Sequence, residues 1–394
     1  MKKRNFGFRM MAGFLIVLLL CTGCSRKQFE TMQKLIRAME EPETSDIRVV
    51  PESESEPEPP TVVRDYEVPH VSADKYAYNV LDEDTKLVYD EIYQAMTEYS
   101  DTVVVSTTDK RVLEKAYHAV TADYGELFWV DGYGYTEYKR GDTVVSLKFS
   151  PQYTMTQEEM QSCKEQVDEK VSRILEGISI VDSDFNKAKY VYDTLIRTVE
   201  YDTSSPNNQN ILSVFLEGKT VCQGYACATQ YLLEQLGITG AVIGGTADGV
   251  PHAWNLVLLD GDYYYMDTTW GSSSYRGEDA AYINYAYFAL TSEEMAHTHK
   301  AEEMFLLPVC NSRKDNYFVH ENLYFSEWNP DGIGSLFAGI GEQAVSVRFS
   351  DDALYQQAYQ YFMEDGHIWD YYSGEDRLYY LLEDELQVLT IMTQ

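Results

Sequence analysis

The chain has 394 residues, of which 44% are hydrophobic, so it is long enough to bury one or two hydrophobic cores. Its formal net charge at pH 7 is −33. Because nucleic acid and anionic lipid are also negatively charged, we expect neither as a ligand. The charge suits a basic or amine-bearing partner, although it also serves solubility.

The first segment has the layout of a secretory signal. Small residues stand immediately before Cys24, behind the apolar run MMAGFLIVLLL, and four basic residues precede that run: Lys2, Lys3, Arg4 and Arg9. This arrangement resembles the bacterial lipobox, although Cys21 stands where Leu is usual. We therefore expect a signal peptide over residues 1–23 and lipidation of Cys24, with the rest of the protein outside the cell. The alternative is an uncleaved anchor, for which the apolar run is shorter than the about 20 residues that a span needs.

Two regions follow this segment. Residues 24–71, which include PESESEPEPP, are acidic and rich in proline, and they predict a disordered linker between the membrane and the rest of the protein. Residues 72–155 predict an α+β region. Its expected helices cover 82–99 and 110–124, and its expected strands cover 127–130 and 144–149.

Residues 156–325 contain the candidate core. Helices are expected over 157–175 and 184–199, and the loop at 206–208 could border a substrate groove. A further helix is predicted from Cys222 to about Leu236, because apolar residues recur there at helical spacing and Gly237 follows as a stop. A thiol at the start of a helix faces unpaired backbone N–H groups, which stabilise a thiolate and could also hold an oxyanion.

A β-hairpin is predicted from HAWNLVLL, Asp260-Gly261 and DYYYMDTTW, since Asp-Gly is a strong two-residue turn signal. In that register Leu259 pairs with Asp262, and His252 and Asp267 become diagonal neighbours on one face. A three-residue loop would instead send Asp267 to the opposite face.

Cys222, His252 and Asp267 are therefore the candidate catalytic residues. His252 would take the proton of Cys222, the thiolate would attack an amide or ester carbonyl, and Asp267 would orient the imidazole. The acyl group then passes to water, which gives hydrolysis, or to an amine, which gives transamidation. This chemistry requires no metal and no other cofactor.

The motifs VCQGYA, HAWN and DTTW, with GYACATQYLLEQLGI between the first two, resemble the transglutaminase-like superfamily of cysteine enzymes. The segments ELFWV, NYAYFALTSEEM and LPVC extend the resemblance over roughly residues 72–325, toward secreted proteins of Gram-positive gut bacteria. It implies a papain-like α+β core, in which a cysteine at a helix N-terminus packs on an antiparallel sheet carrying His and Asp. Together with the first segment, it favours an outward-facing, lipid-anchored enzyme that hydrolyses peptide or protein amides, with cell-wall peptide as one candidate substrate. A transglutaminase that cross-links proteins is the alternative.

Four further residues are predicted around the site. Gln223, with the backbone N–H of Cys222, is the candidate oxyanion donor, because no separate upstream side-chain donor is visible. Trp254, Asn255 and Trp270 are expected as walls and supports, since an indole or a neutral amide is neither base nor nucleophile near neutral pH.

The remaining cysteines and histidines carry weaker predictions. Cys163 and Cys310 could form a disulfide, but separately buried thiols are favoured, and Cys227 is expected in the core. His297 and His299 in MAHTHK have no evident partners nearby, so we do not expect them to bind a metal.

Residues 326–394 predict a small α/β unit built from VSVRF, DDALYQQAYQYFME and LQVLTIM. Two alternatives to an enzyme remain. One is a catalytically silent scaffold of the same fold that binds wall or protein. The other is a solute-binding lipoprotein, in which the three catalytic residue types would occur together by chance.

Overall fold

The computed structural model describes residues 45–49, 74–272, 282–340, 344–374 and 377–393. The expected signal peptide, Cys24 and most of the expected linker lie outside these ranges. Within the linker, β1 (Ser45–Val49) pairs in parallel with the strand Val130–Arg140, so the prediction of disorder is wrong for these five residues. Such pairing uses backbone groups, which the acidic composition of the neighbouring chain does not reveal. In the described ranges no helix is both long and apolar enough to cross a membrane.

The N-terminal region packs helices beside a four-stranded sheet of order β1-β3-β4-β2. Its elements are α1 (Tyr76–Asn79), α2 (Glu83–Thr97), β2 (Val103–Val105), α3 (Lys110–Asp123), β3 (Val130–Arg140) and β4 (Thr143–Tyr153). Both predicted helices are confirmed. The strand predicted over 127–130 is wrong, because Leu127, Phe128 and Trp129 are all buried in a turn and the strand begins only at Val130.

Three long helices lead to the central sheet: α4 (Gln157–Leu175), α5 (Asp184–Thr198) and α6 (Cys222–Gln235). A capping box of Thr156 and Glu159 caps the N-terminus of α4, and the Ser183 side chain caps the N-terminus of α5. The end of α6 is followed by Gly237, whose φ of 77° suits a residue without a side chain. All three predicted helices are confirmed. The short strands β5 (Glu200–Tyr201) and β6 (Lys219–Thr220) pair in parallel just before α6.

The central sheet is antiparallel throughout and has the order β10-β7-β8-β9. Its strands are β7 (Gly240–Ala247), β8 (Val250–Leu259), β9 (Asp262–Met266) and β10 (His299–Ala301). Leu259 pairs with Asp262, and Asp260 and Gly261 have φ values of 47° and 92°, which confirms the predicted two-residue turn and its register.

The C-terminal part has its own hydrophobic core and a third four-stranded sheet, of order β11-β12-β14-β13. Its elements, with two short helices that precede it, are α7 (Ser292–Met295), α8 (Tyr317–His320), β11 (Tyr324–Phe325), α9 (Pro330–Phe337), β12 (Val345–Phe349), α10 (Asp352–Tyr359), β13 (Leu378–Glu383) and β14 (Val388–Thr393). The molecule as a whole is α+β, as predicted.

Candidate active site

Cys222 is the first residue of α6 and is half-buried. The preceding residue, Val221, has an extended backbone and supplies no side-chain cap, so the first backbone N–H groups of the helix are not capped from that position. Val221 N–H donates to Asn208 O at 3.3 Å. The loop predicted to border a groove therefore lies beside the start of α6.

A close approach in the first turn of α6 holds this helix start in place. The Thr220 hydroxyl donates to Asn208 O at 3.0 Å and lies so near Gly224 that a Cβ at that position would overlap it. A side chain at residue 224 would push the helix away from the loop and displace Cys222.

His252, near the start of β8, faces the carboxylate of Asp267, which follows β9. His252 Nε2 lies 2.7 Å from Asp267 Oδ2, so the predicted diagonal pair is present. The His252 side chain also hydrogen-bonds Cys222. Since Nε2 faces the carboxylate, the nitrogen left for Cys222 is Nδ1. The structure thus joins the three predicted residues in one hydrogen-bonded chain.

The charged forms of His252 and Asp267 stabilise each other. Burial opposes an imidazolium, but the Asp267 carboxylate and the Cys222 side chain outweigh it and raise the pKa of His252. Burial also opposes a carboxylate, yet the charge and hydrogen bonds of His252 and His299 hold the pKa of Asp267 below its ordinary value. Asp267 is therefore ionised at neutral pH.

Asp267 is fully buried, and both of its carboxylate oxygens are hydrogen-bonded. Oδ1 accepts from the backbone N–H of Thr269 at 2.8 Å and of Trp270 at 3.1 Å. The backbone of Asp267 is also fixed, because its N–H donates to Tyr287 O at 3.0 Å. A buried charge with this many partners cannot turn without losing several of them.

His299 is a residue of this site that the sequence analysis missed. Its Nε2 lies 3.1 Å from Asp267 Oδ2, and its side chain is 0% exposed. The expectation that His299 lacks partners is wrong, because β10 pairs with β7 and brings His299 back to the sheet. His297 is different, since its side chain is 45% exposed and its Nδ1 lies 3.7 Å from Glu385.

Among the residues that the structure describes, the same groups form a cluster that could hold a metal ion. Ligand atoms of His252, Asp267 and His299 all lie within 4.8 Å of one another. In the structure these atoms are engaged in hydrogen bonds with each other, and acyl transfer through a cysteine needs no metal.

The four predicted supporting residues surround the three central ones in different ways. Trp254 lies against His299 with ring centroids 5.0 Å apart, and Trp270 lies 4.9 Å from the same ring, so both indoles are walls. Asn255 is fully buried and donates to Ala226 O at 2.9 Å, which fastens β8 to α6.

Gln223, the predicted oxyanion donor, is directed elsewhere in the structure. Its side-chain Nε2 lies 3.4 Å from the Cys227 sulfur. Burial raises the pKa of Cys227 to about 12 against this hydrogen bond, so that thiol stays protonated in the core, as predicted. Cys163 and Cys310 are free thiols, which confirms the prediction of separate cysteines.

The segment that carries this site is similar in sequence to known proteins. Residues 172–268 match the family model of the transglutaminase-like superfamily, and this segment contains Cys222, His252 and Asp267. The human kyphoscoliosis peptidase is 24% identical over 128 residues, a match that covers 28% of this chain and 19% of that protein. The chain therefore spans about a fifth of that relative's length.

Two solved structures are similar over part of the chain. A transglutaminase (TGase) crystal structure is 14% identical and covers 35% of this chain and 50% of its own, with a TM-score of 0.26. A candidate cysteine protease from Cytophaga hutchinsonii is 16% identical and covers 31% and 50%, with a TM-score of 0.24.

Proposed function

Because residues 172–268 form a transglutaminase-like domain, we propose that this protein is a cysteine-dependent acyl-transfer enzyme that hydrolyses peptide or protein amides. The observation that carries the proposal is the hydrogen-bonded chain from Cys222 through His252 to the buried carboxylate of Asp267. A nucleophile, a base and a group that orients the base are the parts that covalent acyl transfer requires.

The first half of the reaction follows from the positions of these atoms. His252 Nδ1 takes the proton of the Cys222 thiol, and the sulfur attacks the carbonyl carbon of the amide. The negative oxygen that forms lies near the start of α6, where backbone N–H groups can donate to it. His252 then gives its proton to the leaving amine, and an acyl-thioester remains on Cys222.

In the second half, water attacks the thioester and the acid is released. His252 takes a proton from the water and returns it to the sulfur, while Asp267 stays ionised throughout. Water is in vast excess over amines outside a cell, which favours hydrolysis. The name of the human relative, a peptidase, agrees with this choice. Transfer to an amine, which would cross-link proteins, is the alternative use of the same thioester.

Labelling with iodoacetamide, read by mass spectrometry, tests the base and nucleophile directly. We expect Cys222 to react much faster in the wild type than in His252→Ala. Cys163 is also a partly exposed free thiol and serves as the internal control in both proteins. Equal labelling of Cys222 in the two proteins would argue for a catalytically silent scaffold.

The products distinguish the two acyl acceptors. Secreted and cell-wall material is compared between cells with the wild type and cells with Cys222→Ala. New peptide ends that depend on Cys222 support hydrolysis, whereas new isopeptide links would show transamidation. Cell-wall peptide is the substrate that we would test first.

We also propose that the enzyme is held at the outer face of the cell membrane by a lipid on Cys24. The support is the sequence of the first segment, with its basic residues, apolar run and small residues before Cys24. Metabolic labelling with a fatty-acid analogue should mark the wild type and Cys21→Ser but not Cys24→Ser. Label that persists in Cys24→Ser would rule out this attachment site.

A further inference from the structure

We propose that His299 is a positioning residue, a second imidazole that fixes the Asp267 carboxylate and through it the orientation and tautomer of His252. The inference rests on the proposed function and adds a fourth member to the three residues that carry it. His299 does not reach Cys222 in this scheme. It acts on the base only through the carboxylate that the two histidines share.

The fold delivers His299 to the same face of the sheet as His252. His299 pairs with Ala247 of β7, and Gly245 pairs with both His252 of β8 and Ala301 of β10. Residues directly opposite each other in a sheet share a face, and so do residues two apart along a strand. Both imidazoles therefore project from one face, on either side of β7.

Gly245 makes this approach possible. A Cβ at that position would lie 2.8 Å from the Trp254 ring and closer still to Lys300 O. A larger residue would push β10 away from β7 and carry His299 with it. The absence of a side chain at residue 245 thus provides the space in which the two histidines and Trp254 meet.

The hydrogen bonds give His299 a defined orientation. Its Nε2 lies 3.1 Å from Asp267 Oδ2 and its Nδ1 lies 2.7 Å from the Thr298 hydroxyl. An ionised carboxylate can only accept, so the Nε2–H of His299 donates to Asp267. The contact between Nδ1 and the Thr298 hydroxyl holds the ring in the orientation that directs Nε2 at Asp267.

His252 and His299 share one carboxylate oxygen. Together with the N–H groups of Thr269 and Trp270 they give Asp267 four hydrogen bonds, which matches the capacity of a carboxylate. If His299 is removed, Oδ2 loses a donor in a site closed to water. Because one hydrogen bond no longer opposes it, the carboxylate rotates more easily. The orientation of the His252 ring is then no longer fixed.

Packing alone would not require a histidine here. The ring of His299 lies among Trp254, Trp270 and Tyr287, with centroid distances of 5.0, 4.9 and 6.0 Å. An apolar ring would fill this aromatic surrounding and avoid the burial of two ring nitrogens. The polar atoms are explained by their partners, Asp267 and Thr298.

The test compares His299→Phe, which keeps a ring but has no donor, with His299→Gln, whose amide can donate from nearly the position of Nε2. We expect His299→Phe to lower the rate of Cys222 alkylation by on the order of tenfold to a hundredfold, the effect of one hydrogen bond to a buried charge. His299→Gln should recover most of the rate. His297→Gln, two residues away and exposed, is the matched control and should behave as the wild type.

Nitrogen NMR of protein labelled with 15N-histidine supplies a readout that does not depend on catalysis. At a pH above the raised pKa of His252, where the ring is neutral, we expect its proton on Nε2 in the wild type and a mixture of tautomers in His299→Phe. Unchanged tautomer and alkylation rate in a folded His299→Phe protein would overturn the inference. Failure of the proposed function looks different, because the wild type itself would then label no faster than His252→Ala.

Thr298→Val keeps the test decisive if His299→Phe does not fold. This change leaves His299 in place and removes the hydroxyl that contacts its Nδ1 and holds the ring towards Asp267. We expect a severalfold loss of alkylation rate with the melting temperature nearly unchanged. A rate equal to that of the wild type would count against the role assigned to His299.

Discussion

The carboxylate of Asp267 connects every part of the site, since it accepts from two imidazoles and from two backbone N–H groups. Its charge determines which nitrogen of His252 carries the proton. An ionised Asp267 accepts a hydrogen bond from the Nε2–H of His252, which leaves Nδ1 free to accept from Cys222. The direction of proton transfer in the proposed reaction is therefore set by one oxygen atom.

Asp267→Asn should change which nitrogen of His252 carries the proton, while keeping the size of the side chain at residue 267. If the new side-chain amide donates to Nε2 of His252, the imidazole proton moves to Nδ1. Nδ1 can then no longer accept a hydrogen bond from the Cys222 thiol. We expect the rate of Cys222 alkylation near neutral pH to fall by on the order of a thousandfold. Asp168→Asn, on an exposed face of α4, should react as the wild type. A similar loss in both variants would show that the site is not the cause.

The raised pKa of His252 and the lowered pKa of Asp267 also predict how stability depends on pH. The contribution of Asp267 is present above about pH 4 and is lost as the pH falls through its lowered pKa. The contribution of His252 is complete below about pH 6.5 and is lost as the pH rises through its raised pKa. The two together stabilise the fold most between these limits.

Calorimetry on the wild type and His252→Gln checks this window. The difference in melting temperature between the two proteins should be largest between about pH 4 and 6.5 and should shrink at alkaline pH. His297→Gln should show no such trend, because that histidine is half-exposed. A difference that stays constant from pH 5 to pH 9 would contradict the coupling of His252 to Asp267.

The residues of the site differ in how well the sequence alone could identify them. Cys222 and His252 stand in short motifs beside local structural signals, a helix start and a strand. The partner of His299 is 32 residues away in the chain, and the contact exists only because β10 pairs with β7. Nothing within MAHTHK indicates that pairing. The Gln223 contact with Cys227 depends on a side-chain orientation, which a sequence motif does not specify.

Among the elements, β8 is held at both ends by the same kind of turn. Asp248 and Gly249 join β7 to β8 with φ values of 48° and 75°, just as Asp260 and Gly261 join β8 to β9. A two-residue turn of this type sets which residues oppose each other, because it leaves no slack. The position of His252 relative to its neighbours is thus fixed from both sides.

Insertion of one glycine between Asp260 and Gly261 tests whether the length of this turn determines the position of Asp267 relative to His252. The longer loop shifts the pairing by one residue and turns Asp267 to the opposite face from His252. We expect Cys222 alkylation to fall to the rate of His252→Ala. The matched control is a glycine inserted at Gly141, in the exposed turn between β3 and β4, and it should leave the rate unchanged.

The elements that were predicted well are those with a local physical cause. The long helices begin at capping residues such as Thr156 and Ser183 and show apolar residues at helical spacing. The prediction of a strand over 127–130 was wrong, because three consecutive apolar residues fit a buried turn as well as a strand. β1 was not predicted, because its partner lies far along the chain and no local pattern marks the strand.

The described parts of the chain form two hydrophobic cores, and a buried ion pair links the elements around them. Arg348 of β12 donates to Glu294 of α7 at 2.9 Å, and both side chains are 5% exposed. Glu294 also accepts from Arg313, which is half-exposed. A cavity of about 160 Å³ lies beside these charges. The C-terminal sheet is therefore joined to the catalytic part by a contact that water does not screen.

Arg348→Met should destabilise the protein by about 3 kcal/mol, because it leaves Glu294 buried with a weaker partner. Arg313→Met, which removes the more exposed partner, should cost less than about 1 kcal/mol. Urea unfolding of the two variants measures both values. If the two changes cost the same, the buried pair does not stabilise the junction more than the exposed pair does.

The carboxylate site also has a consequence for the synthesis of the protein. The groups that hold Asp267 come from residues 252, 269–270, 287 and 299, whereas the thiol that it serves is at residue 222. A chain that has left the ribosome only as far as Asp267, just past β9, already carries Cys222 and His252 as well but lacks β10, the strand that brings in His299. Full reactivity of the thiol should therefore appear only when residue 299 has joined the sheet, which delays attack on neighbouring proteins until folding is complete.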